Sequence, residues 1–237
     1  MPVAVDKSPE RIASMFDAIA RRYDLLNHVL SAGRDRHWRA RAIRDLDLPA
    51  DARIVDLCTG TGDFAIAAAD ARPRATVVGV DFAGAMLAIG REKIRGRALT
   101  DRVALVRGDA TRIPIRDGWA DAATIGFGIR NVVRPEAALV ELARVIKPGG
   151  RLAILELGEP TLPGVRELYH WYFRQVLPRL GRLVSHHDGA YSYLPASVAQ
   201  FPRPRDFAVI ISSHGFAGVR AVPLTGGIVY LYVATRP

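Results

Sequence analysis

Residues 55–65 read VDLCTGTGDFA. A short apolar run carries an acid, Asp56, and breaks into a loop with glycines at 60 and 62. Glycines there permit the tight turn that follows a strand and let backbone N–H groups approach a ligand. The stretch behind the loop, FAIAAADA, has a helical composition. Asp81 closes the next apolar run, ATVVGVD, 20 residues after Thr61. A carboxylate at that place accepts hydrogen bonds from ribose hydroxyls. Gly60, Gly62 and Ala65 also satisfy the dinucleotide fingerprint G-x-G-x-x-A, so the loop by itself leaves a nicotinamide cofactor and S-adenosylmethionine both open.

Outward from this loop the same rhythm repeats. ATVVGVD is followed by the helical AGAMLAIGREKI. RVALVRGD is a third apolar run, ADAATIGFG a fourth, and PEAALVELARVI a helix after it. Beyond KPGG a fifth run reads RLAILEL. Strands alternating with helices predict a parallel sheet covered on both faces, and right-handed crossovers make it doubly wound. Upstream, Ile12, Met15, Phe16, Ile19, Tyr23, Leu26 and Leu30 fall at helical spacing over 9–31, behind the start signal Ser8-Pro9. A second helix is predicted over about 35–46. From 158 to 200 the rhythm stops, and Pro160, Pro163, Pro178 and Pro195 interrupt an aromatic-rich segment. A helix near 204–214 and two runs, FAGVRAVPL and GIVYLYVAT, complete the chain as an antiparallel pair. The expected organisation is one domain over 1–237. It comprises an N-terminal helical lid (1–47), a cofactor-binding core (48–157), a late insertion facing substrate or membrane (158–203), and a C-terminal helix and strand pair (204–237).

The bulk composition narrows the setting. Of 237 residues, 49% are hydrophobic and 24% charged, an ordinary balance for a globular domain. No apolar stretch approaches the roughly 18 residues of a membrane span. The N-terminus lacks a signal-peptide layout, and one cysteine, Cys58, permits no internal disulfide, so a cytoplasmic setting is expected. The net charge is +9 and the pI about 10.3. Lysine occurs only at 7, 93 and 147, and the other basic residues are scattered arginines. Genomic bias accounts for such scatter; attraction to anionic lipid headgroups is the sharper reading. Nucleic acid is not expected as a partner, and a homodimer is left open.

Three features separate the two cofactors. Asp56 lies ahead of the glycines, where an acid can orient the loop and reach the ammonium of a methionine; beside a pyrophosphate it would be repelled. Asp109 and Ala110, at the end of the third run, can accept from an adenine amino group and offer a backbone N–H. The chain ends in a strand pair rather than a second βαβαβ half. Together they favour a class I methyltransferase, an α/β fold whose doubly wound, mostly parallel seven-stranded sheet carries an antiparallel C-terminal strand. For Asp56 and Asp109 alone, capping of their own loops is the competing reading.

RYDLLN, DLCTGTGD, FGIRNV, RVIKPGG and YSYLPASVAQFP together resemble the ubiquinone/menaquinone biosynthesis C-methyltransferase family, from about Met15 to the end of the chain. The resemblance implies C-methylation of a polyprenylated quinol by S-adenosylmethionine. Demethylmenaquinol is the expected substrate; the equivalent benzoquinol step, or another small-molecule methyl transfer, is the alternative. Carried over by motif, the cofactor would meet Thr61, Asp81, Asp109, Ala110 and Gly126, beside Asp56, Gly60 and Gly62 of the loop. Gly126 stands where relatives often have serine, so a hydroxyl contact is lost there.

Within AATIGFGIRNV, residues 122–132, a core-like run delivers Arg130 and Asn131. Arginine is rarely buried unless paired. A ring carbon attacks a methyl only when an adjacent oxygen carries negative charge. Arg130, charged at any physiological pH, can stabilise that oxygen but cannot be the base. Asn131 can hydrogen-bond a ring oxygen, and Tyr23 can close over the ring. The competing reading of Arg130 is an ion pair with Glu156 or Glu159. Asp24, Asp63, His186, His187 and water stay open as the proton acceptor. The insertion places Val165, Leu168, Tyr172 and Val176 at helical spacing among arginines, a face suited to a membrane interface or to the core. His170, His186 and His187 form no metal signature, and no metal is expected. A nicotinamide oxidoreductase, an RNA methyltransferase and a non-catalytic basic module are the rival classes; the N/D-P-P-Y motif of amino-group methylation is replaced here by GFGI.

Overall fold

Seven apolar runs form seven strands of one sheet. The computed structural model describes residues 8–160, 164, 166–167 and 188–237. Helices α1 (Pro9–Leu30) and α2 (Arg34–Asp45) precede β1 (Arg53–Leu57). Then come α3 (Asp63–Ala71), β2 (Thr76–Asp81), α4 (Gly84–Gly96), β3 (Val103–Arg107) and β4 (Ala120–Gly126). A single 3-10 turn, Ile129–Asn131, leads to α5 (Pro135–Val145) and β5 (Ile146–Leu157). The C-terminal part holds α6 (Asp188–Gln200), α7 (Pro204–Ser213), β6 (Ala217–Leu224) and β7 (Val229–Thr235). The strand order is β3-β2-β1-β4-β5-β7-β6. β1 to β5 run parallel, and β7 is antiparallel to both β5 and β6.

Both faces of the sheet are apolar because helices cover both. Ile54, Ala122, Ala153 and Leu231 pack with α2 and α3 on one face; Val55, Ala123, Leu152 and Tyr232 pack with α5 and α7 on the other. The alternation along each strand is the period of two that a two-faced sheet requires. β5 starts at Ile146, ahead of KPGG, rather than at Arg151. The cause is long-range pairing: the N–H of Gly149 donates to the carbonyl of Arg236, and the N–H of Arg236 donates to Gly150. Ile146 also pairs with Ala120, with a bulge before the next rung.

The order reverses between β1 and β4, so the loops leaving these two strands diverge to opposite sides. A crevice opens there at the carboxyl ends, where ligands bind in open α/β sheets. α1 lies across α4 beside it, through Ala20, Ala83, Met86, Phe16, Tyr23 and Ile89. That cluster is separate from the two main cores. Among the described residues no helix is long and apolar enough to cross a membrane.

Candidate active site

The glycine loop is held by its acids. Cys58, Gly60 and Gly62 all take positive φ, at 55°, 56° and 79°. Two of these are glycine, which adopts that geometry without steric cost. Cys58 fits because residue 128 has no side chain: a Cβ on Gly128 would stand 2.3 Å from the Cys58 Cβ. Asp56 is 1% exposed. It accepts hydrogen bonds from the hydroxyls of Thr59 at 2.6 Å and Thr124 at 2.7 Å. Thr124 stands directly beside it in the β1–β4 register. Burial pushes the Asp56 carboxyl up to about 6. The carboxylate therefore orients the loop, as one half of the sequence expectation had it. In this structure each oxygen accepts one of these hydroxyls and the side chain lies under the loop.

Asp81 ends β2 under the same loop. One oxygen accepts from the Gly60 N–H at 2.8 Å and the other from Ala83 at 2.9 Å. Burial raises its pKa against these donors. Thr61 is buried and donates its hydroxyl to Asp24 of α1 at 2.5 Å. Gly62 caps α3, and its N–H bonds the Thr59 carbonyl at 2.9 Å. Asp109 is exposed and caps its own loop through the N–H of Thr111 at 2.7 Å and its hydroxyl at 2.9 Å. These contacts use one of its two oxygens. Ala110 beside it is buried. Gly126 ends β4, where a Cβ would meet the Phe64 ring at 3.0 Å. The volume a serine would occupy in that direction is taken up by Phe64.

Arg130 and Asn131 lie in the 3-10 turn after β4. Arg130 is 6% exposed, and its Nη1 donates to Glu156 at 2.7 Å and to the Phe127 carbonyl. The ion pair with Glu156 is thus present. Burial, the largest influence, would lower the guanidinium pKa, but Glu156 together with Tyr23 and Tyr193 brings it above its ordinary value. Nε is buried and has no hydrogen-bond partner among the described residues. The amide oxygen of Asn131 accepts from the Tyr193 hydroxyl at 3.0 Å. Tyr23, on α1, meets Phe16 edge to face at 5.7 Å. Burial raises the Tyr23 pKa, and its ring feels both Arg130 and Asp81. The ring packs against the cluster of Ala20, Ala83 and Met86.

Two of the acids weighed as proton acceptors are tied down. Lys93 pairs with Asp24 at 2.7 Å and with Asp63, and Asp63 also faces Arg39 at 3.4 Å. His170, His186 and His187 lie outside the described residues, as do Val165, Leu168, Tyr172 and Val176 of the insertion. Sequence reasoning did not single out Tyr193 or Lys93. Tyr193 sits within YSYLPASVAQFP, one of the stretches that carry the family resemblance, but nothing in that stretch picked out this residue. Lys93 had a signal in being one of three lysines in the chain.

The fold and the loop define a class. An S-adenosylmethionine-dependent methyltransferase from Aquifex aeolicus superposes with a TM-score of 0.62 at 18% identity, over 84% of this chain and 89% of that one. The architecture is that of the S-adenosylmethionine-dependent methyltransferases. The chain belongs to the ubiE/COQ5 methyltransferase family, whose profile matches residues 4–236. It is 45% identical to a ubiquinone/menaquinone biosynthesis C-methyltransferase of Geobacter sp. (strain M21), over 98% of this chain and 99% of the relative. It is 48% identical to a demethylmenaquinone methyltransferase of Thermus thermophilus, over 94% of this chain and the full length of the relative.

Proposed function

We propose that this protein methylates a ring carbon of a polyprenylated quinol, converting demethylmenaquinol to menaquinol, with S-adenosylmethionine as donor. The observation that carries this is a buried arginine with donors to spare, Arg130, set beside Asn131, Tyr193 and Tyr23 next to the glycine loop. Relatives named for both quinones keep the benzoquinol step as the second reading. The Thermus relative, named for the naphthoquinol step, favours the first.

The donor set fits S-adenosylmethionine. Two ribose hydroxyls match the Asp81 carboxylate, an adenine amino group matches the free oxygen of Asp109, and the left-handed glycines bring backbone close. Gly60, Thr61, Gly62, Asp81, Asp109, Ala110 and Gly126 would hold it. When bound it supplies an electrophilic methyl on a cationic sulfur.

This chain's residues prepare the nucleophile. Arg130 stays protonated and meets the quinol oxygen as negative charge develops there. A preorganised donor of this kind contributes about 3–4 kcal/mol to lowering the barrier. Because the oxygen of Asn131 is taken by Tyr193, its amide N–H groups are left to donate to the ring. Tyr23, its pKa raised by burial, stays a phenol and covers the ring with the lid of residues 1–47, excluding water. With Asp24 and Asp63 paired to Lys93, water, His186 or His187 takes the quinol proton as the methyl passes from sulfur to the ring carbon.

A polyprenyl tail favours a cytoplasmic protein docked peripherally on the membrane. The net charge of +9 supports this, as do Leu25 and Val29, exposed one turn apart on α1. Salt-sensitive sedimentation with anionic liposomes is the expected result; no binding at low salt would remove the docking. The substrate is tested by mass spectrometry of quinones from a strain lacking this protein. A naphthoquinone one methyl lighter is expected to accumulate, and an unchanged quinone pool would overturn the proposal.

A further inference from the structure

We propose that Glu156 is a positioning residue for the methyl transfer, holding Arg130 by one nitrogen so that the rest of its guanidinium stays available to the quinol oxygen. This rests on the reading of Arg130 given above. Glu156 is the penultimate residue of β5 and is 0% exposed. A carboxylate at that depth must be matched by donors. It has three. Oε1 accepts from Nη1 of Arg130 at 2.7 Å and from the N–H of Leu157 at 2.8 Å. Oε2 accepts from the main-chain N–H of Arg130 at 3.3 Å.

The third bond is the informative one. Arginine and carboxylate pair most strongly as a fork, two nitrogens on two oxygens. Here the second oxygen turns to the arginine's own backbone. One carboxylate thus fixes both the 3-10 turn and the side chain, while Nε is left buried and without a partner among the described residues. A pair retained only for stability would use that nitrogen, since an unmet buried donor is costly. A ring oxygen reaching it would remove the penalty as charge builds, which is the condition for a contact stronger in the transition state than before it. The partner strand places the acid here: Glu156 is in register with Tyr230 of β7, between the Leu155–Leu231 and Leu157–Val229 rungs.

The test is a double-mutant cycle on the full-length protein with a short-chain demethylmenaquinol. Glu156→Gln keeps the size but turns one acceptor into a donor facing donors. It is expected to lower kcat at least about tenfold while KM for the quinol stays within about twofold. Affinity for S-adenosylmethionine, by calorimetry, should also stay within about twofold of the parent, because Glu156 acts only through Arg130. Arg130→Met should lose about a hundredfold or more in kcat. In the double variant, kcat should match that of Arg130→Met within about threefold, because a positioning residue has nothing left to position. Turnover of Glu156→Gln within about twofold of the parent, or an undiminished tenfold penalty in the Arg130→Met background, would overturn the inference. If Glu156→Gln fails to bind S-adenosylmethionine, Glu156→Asp, which retracts the charge by one methylene, is read by the same criteria. A parent that leaves the quinol unmethylated would refute the substrate reading, and the inference with it. A normal Arg130→Met would refute the arginine's role; a disabled Arg130→Met beside a normal Glu156→Gln would refute the inference alone.

Discussion

Asp56→Asn should make the protein's stability less dependent on pH, in a calculable window. The Asp56 carboxyl titrates at about 6 in the folded chain, against 3.8 for an ordinary aspartate, and burial is the leading cause. Below about 3.8 the group is protonated folded and unfolded, so it contributes no difference. As pH rises, the unfolded chain releases its proton first while the folded chain keeps it. Stability falls until pH passes the folded pKa. The gap of about two units is about 3 kcal/mol at about 1.4 kcal/mol per unit. Asparagine has no such titration. It can also occupy the site, because the hydroxyls of Thr59 and Thr124 accept as well as donate. Most of the difference develops between about pH 4 and pH 7, so the Tm of the variant relative to the parent should rise by about 5–10 °C across that range, at about 2–4 °C per kcal/mol for a chain of this size. Differential scanning fluorimetry of both proteins across the range measures it. Subtracting the parent removes the contributions of every other carboxylate. Two melting curves that stay parallel from pH 4 to pH 7 would refute the reasoning.

Asp81→Ala should weaken S-adenosylmethionine binding at least about tenfold by calorimetry, the worth of one charged hydrogen bond at about 1.5–3 kcal/mol; unchanged affinity would remove Asp81 from the site. Gly79→Ala should destabilise by about 1–3 kcal/mol, since a Cβ there would stand 2.5 Å from Leu105 and 2.7 Å from the Thr59 hydroxyl; an unaltered Tm would contradict the packing. Lys93→Met leaves Asp24 and Asp63 without their shared cation. The pairs are partly exposed, so about 1 kcal/mol is at stake, and limited proteolysis within α1 should quicken several-fold. An unchanged cleavage rate would show that the ion pairs do not hold the helix down.

The strands were legible because each carries an apolar run bounded by a loop residue, and the crevice followed from their alternation with helices. Asp56 was visible as an acid before the glycines. Its fate was not, because the partner that consumes one of its oxygens, Thr124, lies 68 residues later on a neighbouring strand. The early start of β5 was hidden for the same reason: the KPGG turn is pulled into the sheet by Arg236, on the far side of the C-terminal helix and strand pair in sequence. Arg130 announced itself by being a charge inside an apolar run. The direction of its spare nitrogen depends on how Glu156 divides its two oxygens, and no local pattern encodes that. Tyr193 was obscured by Pro195 inside the same helix, a residue that argues against helix from sequence alone.

The two ends of the crevice meet on one helix. Tyr23 and Asp24 are consecutive in α1, and successive residues of a helix point about 100° apart, so one turn can serve two directions. Asp24 turns to the glycine loop, taking the Thr61 hydroxyl and the Lys93 ammonium. Tyr23 packs against Ala83 and Met86, and the N–H of Ala83 donates to Asp81. The apolar cluster under α1 is small and apart from both main cores, so these polar contacts add to its hold on the helix, as does the N–H of Ala85 on Asp17. On the proposed reading, seating Asp24 on the glycine loop also seats Tyr23, the neighbouring residue of α1, on the substrate side. On that reading, order at the methyl-donating end and assembly of the methyl-accepting end are coupled through α1, because Asp24 and Tyr23 share one turn of it.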